Sequence, residues 1–293
     1  MINYNYKYMA YIMRSVRLSN PYNLNTESWI LWNFYSNHYL PILFLKILIL
    51  KFLYPLKKTK LVFMSRDCYF LFIIYKTLFP NYECDYLYIS RVAMKNADDE
   101  YIDYVKNKVN NSVVIDLFGS GKSFYKFTQK YNIHFKHYHL FFNHTLMHNN
   151  LEFISDMNMY SCISYMHKYI ERLNYSFHGS FIKFSDGKIV TKIKEYDDKL
   201  YEPIYKIVNM FSKYLFKIKD VIIDYQLDEK KIDEFILNYL GRRNCVYDSI
   251  EMFTPFERNV LNKINHKSSH ECNDSIIKTN IDYNEILNLE KII

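Results

Sequence analysis

The stretch Ser112–Phe124, SVVIDLFGSGKSF, holds the chain's densest group of residues able to bind an anion. Asp116 is followed by Gly119, Ser120, Gly121, Lys122 and Ser123. The whole chain has only 5 glycines, and two of them sit here. Glycine allows tight turns and a close approach of backbone to ligand. Val113, Val114 and Ile115 form the apolar run of a buried strand, and Phe124, Phe127 and Tyr131 follow at helical spacing. A strand, a glycine turn and a helix N-terminus in that order turn unpaired N–H groups and the positive end of a helix dipole toward a phosphate. The same pattern also describes an ordinary strand-to-helix connection, so both readings stand at this point.

Two more polar clusters close apolar runs. Ser65-Arg66-Asp67 follows Leu61–Met64, and Ser90-Arg91 follows Tyr86–Ile89. An arginine there can pair an anionic group bidentately. Arg66 and Asp67 equally suit a mutual ion pair at a helix start, where Asp67 fits an N-cap. In parallel sheets ligands bind beyond the carboxyl ends of the strands. Three successive strands that end in polar clusters therefore predict one shared rim. A nucleotide P-loop needs glycine five residues before Gly121, and Asp116 stands there instead, which weakens a P-loop NTPase reading. Neither a G-x-S-x-G elbow nor an apolar strand ending in Asp-x-Asp occurs.

The elements that must carry these clusters alternate strand and helix, which predicts an α/β fold with a parallel, doubly wound sheet covered on both faces. Residues 1–58 read as a helical N-terminal segment, with a tyrosine-rich arm or short helix over 1–22. The apolar run Tyr39–Tyr54 is interrupted by Lys46 and Lys51 and is shorter than the ~20 residues of a membrane span. It suits either a helix packed on the core with its lysines snorkelling to the rim, or peripheral membrane contact through 39–54. Residues 59–160 form the α/β core, with helices over Tyr69–Phe79 and Tyr101–Val109 and a last strand over Phe135–Phe142. Residues 161–293 read as mostly helical, with helices at Ile163–Leu173, Leu200–Leu215 and Ile232–Leu240. A hairpin over Ser180–Thr191 turns at Asp186-Gly187.

A net charge of +7 over 293 residues is mild. It suits anionic ligands, and no block of Lys and Arg is dense enough to predict a nucleic-acid partner. Five widely spaced cysteines without a CxxC pair predict neither a zinc site nor a disulfide framework. They fit a reducing, cytoplasmic setting. The opening MINYNYKYMAY lacks the features of a signal peptide. His137 and His139 would share one strand face, but no cysteine or carboxylate lies close in sequence, so no metal ligands are assigned and a polar strand edge is expected.

The glycine loop resembles the ribose-phosphate loop of type I phosphoribosyltransferases, where an apolar strand ends in two acids, two apolar residues and Thr-Thr-Gly-x-Thr. Asp116, Leu117, Phe118, Ser120, Gly121 and Ser123 fit, while Ile115 replaces the first acid and Gly119 the first hydroxyl. The segments VFMSRDCYF, YLYISR and VVIDLFGSGKS are also similar, in that order, to a domain of bacterial polysaccharide-biosynthesis proteins. That domain follows a haloacid-dehalogenase-type hydrolase domain and carries Ser-Arg-Asp-Gly, Ser-Arg and Asp-x-x-x-x-Gly signatures. The likeness covers about residues 28–145 and extends weakly to His178-Gly179-Ser180; Cys68 stands where glycine is usual. No hydrolase signature is present, so no phosphatase activity is implied. Together the resemblances imply a phosphoribosyltransferase-like transferase acting on a phosphorylated sugar with Mg²⁺. Arg66, Asp67 and Asp116 would be catalytic. Ser65, Arg91, Gly119, Ser120, Gly121, Lys122 and Ser123 would bind substrate. The alternative is a non-catalytic sensing or scaffold module of a polysaccharide-assembly system.

Overall fold

The computed structural model describes residues 2–54, 59–119, 121–143, 160–163, 173–174, 176, 178–185, 188–192, 198–220 and 276–278. Apolar runs supply the strands of the main sheet: β1 (Lys60–Met64), β2 (Cys84–Leu87), β3 (Ser112–Gly119), β4 (His137–Asn143) and β5 (Tyr160–Ile163). Their order is β2-β1-β3-β4-β5, and each neighbouring pair is parallel. Leu61, Val62, Phe63, Val113, Val114 and Ile115 are fully buried. Runs of this kind, apolar on both sides, mark strands covered on both faces. The chain leaves β1 for β2 on one side, then crosses back and extends through β3, β4 and β5 on the other. The two directions diverge between β1 and β3, which is the topological switch point of such a sheet.

Helices α4 (Tyr69–Leu78), α5 (Arg91–Lys95), α6 (Asp99–Val109) and α7 (Lys122–Tyr131) connect the strands. Two of them are capped by side chains, whereas α4 starts at Cys68 with no side-chain cap bond, which corrects the N-cap expected of Asp67. Asp98 caps α6 by accepting from the Tyr101 N–H at 2.9 Å, and Ser90 caps α5 by accepting from Ala93. In-register neighbours of a parallel sheet point to the same face. Phe63 pairs with Ile115, and Ile115 with His139, on one face. That face meets α4, whose Phe72 and Tyr75 rings lie 6.0 and 5.5 Å from the ring of Phe63. Val62, Val114 and Tyr138 occupy the other face, where Tyr138 stacks on Phe124 of α7.

The N-terminal segment is helical as expected, with α1 (Ile2–Leu18), α2 (Glu27–Phe34), a π-helical turn (Tyr35–Tyr39) and α3 (Leu40–Leu53). Trp32 is fully buried and donates its indole N–H to the Val16 carbonyl at 3.0 Å, fixing α2 on α1. The apolar run 40–53 lies in the core: Leu40, Leu43, Ile47 and Leu50 are fully buried, and Phe44 meets Phe211 edge to face. No helix among the described residues is long and apolar enough to cross a membrane. Lys46 departs from the expected rim position. It is only 2% exposed, with its ammonium 5.4 Å from the Tyr39 ring and 5.8 Å from that of Phe141. The helix is enclosed on that side, so aromatic faces replace water around the charge.

Beyond the main sheet, β6 (Phe181–Ser185) and β7 (Lys188–Lys192) form the expected antiparallel hairpin, and β8 (Ile276–Lys278) pairs with β7. Residues 186 and 187 and the stripe at 232–240 lie outside the described residues. The hairpin packs on α5 and α6, with Phe184 against Tyr104 at 4.7 Å between centroids. Helix α8 (Asp198–Lys217) matches the Leu200–Leu215 stripe and packs on α1, α2 and α4. Of the helix expected over Ile163–Leu173, Ile163 instead ends β5, and residues 164–172 lie outside the described residues. A four-residue apolar stretch is too short for periodicity to tell strand from helix.

β4 is also not the polar edge its alternation suggested. It lies between β3 and β5, and His139 is fully buried with Nδ1 2.9 Å from the Tyr54 hydroxyl. Burial lowers the His139 pKa from 6.5 to about 3. The unfolded chain then takes up a proton near pH 6.5 that the folded chain refuses. His139 therefore contributes stability above pH 6.5 that is lost as pH falls toward 3. Denaturant unfolding across this window should show His139→Gln with a pH slope shallower than the parent by up to about 1.4 kcal/mol per pH unit. Equal slopes would mean that the imidazole is not buried neutral.

Candidate functional site

The β1 chain end turns sharply over Ser65–Cys68 before α4 begins, and the Ser65–Arg66 peptide is cis. The Ser65 hydroxyl donates to the Ile89 carbonyl at 2.7 Å and accepts from the Ile89 N–H at 2.9 Å. It rivets this turn to the segment after β2. Ser90 accepts from the Ala93 N–H and donates to the Phe181 carbonyl, joining α5 to the hairpin. Ser65, expected to touch substrate, is thus engaged inside the protein, as is Ser90. Arg66 and Asp67 are half-buried on the β1 turn, whereas Arg91 is exposed at the first residue of α5, one strand farther from the glycine loop.

Cys68 is fully buried, and its thiol donates to the Ile115 carbonyl at 3.4 Å. This contact ties the residue after Asp67 to the residue before Asp116. Burial pushes the Cys68 thiol well above its usual range; the Asp116 and Asp67 carboxylates push the same way, and Lys46 opposes them.

Asp116 lies near the end of β3, half-buried, on the α7 face of the sheet. Its Oδ2 accepts from the Tyr138 hydroxyl at 2.5 Å, and its Oδ1 accepts a long bond, 3.4 Å, from the Phe118 N–H. The turn then folds back over the carboxylate: a Cβ on Gly119 would lie 3.5 Å from Oδ2. Gly121 caps α7 with φ 69°, in the left-handed region that disfavours any side chain. Lys122 and Ser123 are exposed in the first turn of α7, with their N–H groups at its positive end. Ser120 lies outside the described residues. Ile115, in the place of the first acid, is fully buried on the opposite face against α4.

The structure thus brings Arg66, Asp67, Asp116 and the glycine turn to two adjacent strand ends. Among the described residues no group of three or more His, Cys, Asp or Glu side chains could hold a metal. Mg²⁺ commonly uses one or two carboxylates and completes its shell with water and substrate phosphates; Asp67 and Asp116 are half-buried carboxylates, one after β1 and one near the end of the neighbouring strand β3.

His178-Gly179 packs over the end of β2. Its ring meets Tyr69, Tyr86 and Tyr88, its Nδ1 lies 2.8 Å from the Gly179 carbonyl, and its Nε2 lies 3.2 Å from the Tyr86 hydroxyl. A carbonyl only accepts, so Nδ1 carries a proton and donates it to the Gly179 carbonyl. Sequence reasoning did not single out Tyr138. In a chain of 30 tyrosines, one more on a strand carries no signal, and only the β3–β4 register reveals its partner.

No protein-family model, curated protein or solved structure matches the chain.

Gly121→Ala forces a side chain into the left-handed region and should lower stability by about 1–2 kcal/mol in urea unfolding. Retention of full stability would place Gly121 outside that conformation.

Proposed function

We propose that the chain binds a phosphorylated sugar where the carboxyl ends of β1 and β3 diverge, and that it acts as a phosphoribosyltransferase-like transferase. The observation that carries this reading is the position of the Arg66–Asp67 turn, after β1, and of Asp116–Gly119, at the end of β3, on either side of the switch point. Loop N–H groups and the start of α7 would take the terminal phosphate. Asp116 would accept from sugar hydroxyls. Arg66 would hold a diphosphate leaving group, with the exposed Arg91 supplying longer-range charge. Mg²⁺ bound with the diphosphate would offset its charge, with Asp67 and Asp116 as the protein's ligands. Displacement at the anomeric carbon passes through a cation-like state, so orientation and stabilisation of the leaving group would supply most of the rate. The motif likeness to polysaccharide-biosynthesis proteins suggests a role in surface-glycan assembly in the cytoplasm.

One observation favours a second reading. Ile115 is fully buried where the resembling loop has its first acid. A protein that retains phosphate binding but lacks transfer would be a ligand-sensing or scaffold module of the same assembly system.

Isothermal titration with phosphoribosyl diphosphate and Mg²⁺ tests both readings. Saturable heat that Ser120→Asp abolishes is expected. No heat at millimolar ligand with folded protein rejects phosphosugar binding altogether. Binding without release of diphosphate in the presence of candidate acceptors selects the sensing module over the transferase.

A further inference from the structure

We infer that Tyr138 is a positioning residue for Asp116 and sets the site's preference for a sugar phosphate over bare phosphate; this rests on the phosphosugar reading. Tyr138 pairs with Val114 and Asp116 pairs with Leu140, so the two occupy one face on adjacent strands, diagonal to each other. The tyrosine is fully buried, and its hydroxyl donates to Asp116 Oδ2. Its ring stacks on Phe124 at 5.5 Å between centroids and an interplanar angle of 22°. Phe124 lies in the first turn of α7, three residues after Gly121.

One side chain therefore fixes two parts of the site. The ring holds the root of α7, which carries the phosphate-facing N–H groups. The hydroxyl holds the carboxylate in one orientation beneath the Gly119 turn. The buried hydroxyl has one acceptor among the described residues, Asp116 Oδ2, and donates to it. An acceptor held this way meets ligand hydroxyls without reorganising, and a loosely held one does not. Bare phosphate gains nothing from the carboxylate, because the two negative charges repel.

The test uses Tyr138→Phe, which keeps the ring on Phe124, with thermal unfolding as a control for the fold. Affinities for ribose 5-phosphate and for inorganic phosphate are measured in the parent, Tyr138→Phe, Asp116→Asn and the double variant. Tyr138→Phe should weaken ribose 5-phosphate about tenfold, as expected for a lost hydrogen bond to a charged group, and leave inorganic phosphate unchanged. In the Asp116→Asn background the same substitution should have no further effect. Equal weakening of both ligands, or an equal loss in both backgrounds, overturns the inference and leaves phosphosugar binding standing. Binding of neither ligand by the parent overturns the phosphosugar reading, and this inference with it. If Tyr138→Phe melts far below the parent, Asp116→Asn alone decides. Loss of ribose 5-phosphate affinity with inorganic phosphate retained supports the inference, and unchanged affinity for both overturns it.

Discussion

The ladder between β1 and β3 is the constraint on which the site depends. Lys60 to Phe63 run parallel to Ser112 to Ile115, and the Cys68 thiol continues the contact past the end of the strands by bonding the Ile115 carbonyl. Parallel pairing brings both carboxyl ends to one rim, and the divergence of the connections opens the space between them. The Cys68–Ile115 contact ties the residue after Asp67 to the residue before Asp116, so the two turns are anchored to each other. A different neighbour for β1 would separate the arginine turn from the glycine turn, and neither alone makes a site.

The elements themselves were legible. β1, β3 and the helices after them read directly from apolar runs and from the spacing of Phe124 and Phe127 or of Tyr101 and Val105. The hairpin at 181–192 read from its turn residues. The strand order did not, because nothing in a run such as Leu61–Met64 names its neighbours; pairing is a long-range choice made by packing on both faces. The roles of Ser65 and Ser90 were hidden for the same reason. Their partners, Ile89 and Phe181, lie 24 and 91 residues away. Hydroxyls that looked poised for a ligand instead bind the rim together. The Asp116–Tyr138 bond spans 22 residues and exists only because the β3–β4 register sets them diagonally.

Lys46 and His139 mark the limit of pattern reading in another way. Both types are usually found at a boundary with water, and both are buried here on the α3 side of the sheet. The chain encloses them with aromatic rings and hydroxyls: Tyr39 and Phe141 around Lys46, Tyr54 and Phe141 around His139. With 18% aromatic residues the core has polarisable faces and phenolic hydroxyls to spare, so polar groups can be accommodated that an aliphatic core would exclude. The same abundance supplies Tyr138 beneath Asp116 and the three tyrosines around His178.

The central claim is that the ends of β1 and β3 share one anion, and the most direct measurement is a crystal structure grown with ribose 5-phosphate. The account predicts the phosphate against the backbone of residues 119–123, with a ribose hydroxyl within hydrogen-bonding distance of Asp116. A phosphate bound at the opposite edge, beside Lys60 and Lys108 where they pair with Asp85, with the glycine turn empty, would contradict it.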